Sequence, residues 1–321
     1  MTMTAFSVIQ GGLQAEGRWT AELRHPSSLR ETEIAAWQDL LPRALSRSVF
    51  AEPDFVLTMA QHLADGRRLA LLLVWRNAAD GAPVLQGLLP LQLPGGLRAG
   101  RAAQLWTLPL AGMPAPVIDA DQAPAVIRAA LDHLASSGLR IDSLRLPGLP
   151  PAGRLARALR EVAAETGRRL TIRPQAAAGP ARPALPPLPR ERTSLERVRA
   201  PRPVRDAVEC FLVLEAARAG ASLLADAAAV TALRVVTRRF AKSRHCGVDL
   251  VRRDGAVIAA AIRLGPAGQD RIWREAGCAL SEPNPAKPAI VTLEAEIGLR
   301  PARTAASERP SRLIFARRAS A

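Results

Sequence analysis

Tyrosine is absent from the 321 residues, and aromatic residues make up only 3% of the chain. Few aromatic side chains means few platforms on which unpaired bases stack, which argues against a single-stranded nucleic-acid binder. Lysine is nearly missing too, occurring only at Lys242 and Lys287, so the net charge of +15 is carried almost wholly by arginine. With Ala, Arg, Gly and Pro abundant, that bias is what a GC-rich coding sequence yields without an acidic partner. A nucleic-acid partner is therefore not expected. The three cysteines, Cys210, Cys246 and Cys278, are odd in number and widely spaced, which excludes a disulfide framework and a paired zinc site. His25, His62, His133 and His245 stand alone, so no metal is expected. No apolar run is long enough to span a bilayer, and Met1 to Gln10 lacks an export signal. The expected place is the cytoplasm. A nucleophile elbow and a phosphate-cradling Gly-rich loop are missing as well.

What is present reads as an α/β protein whose mixed, mostly antiparallel twisted sheets are flanked by helices. Two domains are expected. Residues 1–26 read as loosely structured. The first domain, 27–175, opens with a helix from Leu29 to Leu45, with Ser28 as N-cap and Glu31 at capping-box spacing. Ile34, Trp37, Leu41 and Leu45 form its apolar stripe. A second helix from Asp54 to Leu63 leads to strands at Leu69 to Trp75, Val84 to Leu93 and Gln104 to Leu108, with Asp80-Gly81 between the first two. Then come a helix at Ala123 to Ser136, a strand at Ser143 to Leu146, a helix at Arg154 to Thr166 and a strand at Arg169 to Arg173. Residues 176–203, with seven prolines, read as an extended linker. The second domain, 204–298, has helices at Val204 to Ala219 and after an Asp226 cap. It ends in the stretch from Cys246 to Gly298. There Val248 to Val251 and Val257 to Leu264 flank Asp254-Gly255, a strong hairpin signal. Arg271 to Ala276 makes a third strand, and the loop Ser281-Glu282-Pro283-Asn284-Pro285 precedes a helix predicted from Ala289 to Ile297. Residues 299–321 read as a flexible basic tail. The two halves share one order: two helices, a hairpin, a third strand, a loop and a helix.

Three groups of side chains carry candidate chemistry. Glu215 follows Phe211 by four and Val208 by seven, so it projects from an apolar helix face. A carboxylate held there has its pKa raised toward that of a general base; the alternative is an ion pair with Arg218 at the stripe's edge. Arg271, Trp273 and Glu275 alternate on one strand and so are expected on one face, as a substrate wall or a half-exposed sheet face. The third group is the loop itself. A strand, a loop with Ser281 and Asn284, and then a helix N-terminus would leave backbone N–H groups free for a pyrophosphate.

Several short segments together resemble the cellulose-biosynthesis-type acetyltransferases of the GNAT acyltransferase superfamily. They are Phe50-Ala51-Glu52-Pro53-Asp54-Phe55, Leu88-Leu89-Pro90-Leu91, Trp106 with Gly112 to Asp119, Phe211-Leu212-Val213-Leu214-Glu215, and Asp254-Gly255 with Ile258-Ala259. The resemblance spans roughly residues 30–298. It implies two GNAT-like domains in tandem and transfer of an acyl group from acetyl-CoA, or another acyl-CoA, to an amine acceptor. Glu215 or Glu275 would then accept the proton, and Arg271, Trp273, Ser281 and Asn284 would hold the donor. Two departures are plain. Ala216 to Ser222 stands where the family has Gly-Trp-Lys-Gly, and Ser281-Glu282-Pro283 stands where it has Ser-Pro-Gly. A protein of this fold that binds partners without catalysis is the competing expectation.

Overall fold

The computed structural model describes residues 18–64, 68–77, 81–95, 101–175, 185–188, 192–217, 222–280 and 292–302. Chain order begins with β1 (Trp19–Arg24), α1 (Glu31–Leu40), α2 (Pro53–His62), β2 (Leu69–Arg76), β3 (Val84–Gln92) and β4 (Ala102–Leu105). The short segments β5 (Thr107–Leu108), β6 (Met113–Pro114) and β7 (Val117–Ile118) lead to α3 (Ala123–Ser136), β8 (Ser143–Leu149), α4 (Arg154–Thr166) and β9 (Arg168–Gln175). The second half comprises β10 (Thr193–Val198), α5 (Pro201–Ala216), α6 (Ala227–Lys242), β11 (Cys246–Arg253), β12 (Ala256–Leu264), β13 (Arg271–Gly277) and β14 (Thr292–Pro301). The fold is mixed α/β, with mainly antiparallel sheets flanked by helices.

The order β–α–α–β–β–β occurs twice, as β1 to β4 and again as β10 to β13. Both copies pair their strands antiparallel in sequence order, and both break register at the sixth residue of the second strand, at Val74 and at Val251. After β4 the first copy goes on through α3, β8, α4 and β9. The second copy has no counterpart of these elements among the described residues. Instead β14 crosses back and lies between β8 and β9, giving the large sheet the order β1-β2-β3-β4-β8-β14-β9. The small sheet is β10-β11-β12-β13.

This crossover corrects the helix predicted from Ala289 to Ile297. Ala295, Ile297 and Leu299 are buried while Glu294 and Glu296 are not, a period of two that suits a strand. The carboxylates pair outward: Glu296 accepts from Ser143 Oγ at 2.6 Å and meets Arg145 at 3.3 Å. The second domain therefore does not end as a unit at 298, and the strand takes residues 299–301 out of the expected tail. At the other end, Trp19–Arg24 is an edge strand of the large sheet, not loose chain. Its Glu22 accepts from the Trp75 indole at 3.1 Å. Within the expected linker, Thr193–Val198 is a strand against β11 and the following helix begins at Pro201. Proline at the first helical turn leaves no needed donor missing.

Other predicted bounds need smaller corrections. The N-cap of α1 is Arg30, not Ser28, and Glu33 rather than Glu31 reaches back to the Arg30 N–H at 2.8 Å. The strand expected from Gln104 to Leu108 breaks at Trp106, whose N–H donates to Pro90 O at 2.9 Å. Gly87 in β3 is a packing requirement, since a Cβ there would stand 2.3 Å from Val126 Cγ1 on α3.

One apolar cluster joins the halves. It runs from Trp37, Phe55 and Met59 through Phe211, Leu233 and Phe240 to Trp273. Helices α2 and α6 pack together inside it, and the Phe55 and Trp273 rings meet edge-on at 5.5 Å. A second cluster fills the space between the large sheet and helices α3 and α4.

Candidate functional site

Among the described residues, parallel pairing in the large sheet occurs between β4 and β8, over Ala102↔Ser143 to Gln104↔Arg145. Past that point the strands part. Leu105 pairs with Leu91, Trp106 turns to Pro90, and β6 takes the place beside β8. Pro114 packs against Gly148 so closely that a Cβ at Gly148 would lie 3.3 Å from its Cδ. Neighbouring parallel strands whose ends diverge leave a crevice at their carboxyl ends, where open α/β sheets take ligands.

A cavity of about 260 Å³ opens at the carboxyl end of β8. Its walls are Met113 to Pro116, Gly148 to Pro150, the first residues of α4, and Ser46, Ser48 and Ala51 from the α1–α2 connection. Most of this lining is apolar. The start of α4 has no side-chain cap at Gly153, and Arg154 stands beside it. Free N–H groups and a guanidinium at the rim suit an anionic group, with the apolar walls taking a flexible chain. Behind the cavity, Arg43 ties the layers by donating to Asp119, to Gln86 Oε1 at 3.2 Å and to Leu85 O at 3.0 Å.

Glu52 follows Ala51 of the cavity wall. Burial, and secondarily the charge of Asp54, push its carboxyl up to about 7. This is the residue that the sequence reading passed over, although it stood within Phe50-Ala51-Glu52-Pro53. The available signal was a carboxylate set between apolar residues just ahead of a helix-starting proline. The buried Cys246 thiol is pushed up to about 12 by burial, against the pull of Arg199, which leaves no thiolate for catalysis at neutral pH.

Glu215 is buried on α5, as its spacing predicted. It is engaged there: Leu223 N–H donates to its Oε2 at 2.8 Å, and Ser222 Oγ donates to the same atom at 3.0 Å. This carboxylate ties the end of α5 to Ser222 and Leu223 ahead of α6. We expect Glu215→Gln to retain both acceptor contacts and to change stability by less than about 1 kcal/mol. Glu215→Ala should cost roughly 1–3 kcal/mol, because a buried N–H is left unpaired. Urea denaturation of the two variants measures the difference.

The ladder of Arg271, Trp273 and Glu275 on one face is overturned by a bulge. Register shifts between Ile262 and Arg263, so Arg271 pairs with Leu264 while Glu275 pairs with Ala261, and these partners lie on opposite faces of β12. Trp273 turns toward the first half, and its indole N–H donates to Leu110 O at 2.9 Å; Arg274 donates to the same oxygen at 2.6 Å. Glu275 instead joins the row of Arg197 and Asp249 across the small sheet. Asp249 there is buried and accepts from Arg197 Nη2 at 2.9 Å. Ser281 and Asn284 lie outside the described residues. With Thr292–Pro301 a strand, the strand–loop–helix reason for a pyrophosphate at that loop is gone. The structure thus does not bring Glu215, Glu275, Arg271 and Trp273 into one site. Among the described residues, no cluster of His, Cys, Asp or Glu could hold a metal. No helix there is long and apolar enough to cross a membrane.

No family model matches the sequence, and no curated protein matches it. Among solved structures, the chain is similar to a tandem GNAT protein from the clavulanic acid biosynthesis pathway, at 13% identity and a TM-score of 0.36, over 86% of this chain and 89% of that one. It is also similar to the C-terminal domain of a putative lysylphosphatidylglycerol synthetase from Agrobacterium fabrum, at 14% identity and a TM-score of 0.38, over 78% and 69%. A third likeness, to a GCN5-related N-acetyltransferase from Kribbella flavida, has 13% identity and a TM-score of 0.29, over 87% and 71%.

Proposed function

We propose that this chain is an acyltransferase that moves an acyl group from an acyl-CoA, such as acetyl-CoA, to an amine. The observation that carries the reading is the cavity at the end of β8, where the parallel pair parts. Its mostly apolar walls suit a pantetheine arm. The uncapped start of α4 and Arg154 suit the pyrophosphate. Glu52 takes one proton from the substrate ammonium, and the neutral amine so formed attacks the thioester carbonyl. As the tetrahedral intermediate collapses, the C–S bond breaks, the nitrogen gives up its second proton to the departing sulfur, and CoA leaves as the thiol. A carboxyl with a pKa near 7 is half ionised at neutral pH, the balance that favours general-base work. The donor site and the base in this reading belong to the first half, whereas the sequence pattern points to the second for both.

Calorimetry with acetyl-CoA tests the donor site. Binding is expected, weakened about tenfold in Arg154→Glu, which loses one charge-assisted contact. No heat from folded protein at millimolar acetyl-CoA overturns the proposal.

A further inference from the structure

The groove between α5 and α6 is lined by cations on both rims. Arg202 and Arg205 stand on α5, and Arg234, Arg238 and Lys242 on α6. The floor is apolar and closed: Val204, Val208 and the Thr237 side chain are buried. Little acid answers this charge. Glu209 is engaged by Arg234, which donates to its two oxygens at 2.8 and 2.6 Å. Arg205 and Asp206 are 3.5 Å apart with both side chains exposed, a geometry that neutralises little. Arg202, Arg238 and Lys242 have no carboxylate partner among the described residues. A groove of about 310 Å³ thus holds like charges face to face over an apolar strip.

From this charge pattern we propose that the α5–α6 groove docks an acidic amphipathic helix of another protein. Arg234, Arg238 and Lys242 recur every four residues and so spread along roughly 12 Å of α6. A single phosphate needs cations converging on a point, whereas this rim suits an elongated anion. The exposed lining of the groove is mostly apolar, which asks for an apolar stripe between the partner's acidic residues, at i, i+3, i+4 and i+7. A nucleic-acid backbone offers no such stripe, and the groove has no aromatic side chain to stack on a base. A membrane surface is flat where this site is concave. A second copy of the chain is repelled by a net charge of +15 on each.

The test is fluorescence anisotropy with a labelled peptide of about 18 residues, built from Glu and Leu with Leu at helical spacing. Binding should be saturable and should weaken several-fold as salt rises from about 50 to about 300 mM. A scrambled peptide of the same composition should bind about tenfold more weakly, as should the wild-type peptide to Arg238→Glu/Lys242→Glu. Both changes are at exposed positions, and circular dichroism checks that the double variant keeps its helices. Equal binding by the scrambled peptide overturns the proposal, as does an unaffected double variant. Tighter, equally groove-dependent binding of a single-stranded oligonucleotide or of anionic vesicles also overturns it and assigns the groove to phosphates.

Discussion

Removing residues 292–321 is expected to abolish folding of the large sheet and leave aggregated or protease-sensitive chain. The strand lost is internal. Both edges of β14 are paired, to β8 over Leu293 to Gly298 and to β9 over Thr292 to Pro301. Without it, facing rows of N–H and C=O groups in β8 and β9 lose their partners, and Leu144, Leu146, Leu159 and Val162 lose apolar cover. A milder test is Ile297→Ala, since Ile297 is fully buried. It should cost roughly 2–4 kcal/mol, read as a lower urea midpoint at unchanged slope. The crossover also bears on proteolysis. A protease that cuts within residues 176–191 should leave fragments that co-elute on gel filtration under native conditions, because the C-terminal fragment supplies an inner strand of the N-terminal sheet. Fragments that separate freely would show that β14 does not knit the halves.

Glu52→Gln should lower turnover by roughly 10²-fold with little change in acyl-CoA affinity, once an amine acceptor has been found in a panel assay. The amide keeps the shape and cannot take the proton. The pH dependence gives a second reading. The folded carboxyl stands near 7 against an ordinary value of 4.5, so the folded state binds the proton more tightly. Its contribution to stability is complete below about 4.5 and is lost as pH rises through about 7. Wild-type melting temperature should therefore fall across that window more steeply than that of Glu52→Gln, which stays neutral. The rate profile should rise over the upper part of the same window and keep no such step in the variant. Parallel melting curves would mean that Glu52 is not held in its raised state. Undiminished turnover would remove it from the mechanism.

Local pattern determined much of this molecule. Helix α3 from Ala123 to Ser136 and helix α4 from Arg154 to Thr166 were legible to the residue, because apolar periodicity and helix-ending signals act within one turn. The Asp226 cap and the Asp254-Gly255 hairpin were legible for the same reason. Of the shared order of the halves, the two helices followed by three strands were there to be read; the strand that opens each copy was not, and the helix expected to close the second is the strand β14. Three other matters were decided only in tertiary structure. Leu293 to Leu299 is compatible with helix or strand by local preference; the gap between β8 and β9 makes it a strand. A one-residue bulge at Trp273, invisible to alternation, sends Arg271 and Glu275 to opposite faces. Glu215 sits on the buried face that its spacing predicted, yet what it does there depends on Leu223 presenting its N–H to that face. Burial is written in periodicity. Which groups meet once buried, as with Glu215 and the Leu223 N–H, follows from how separate segments close on one another.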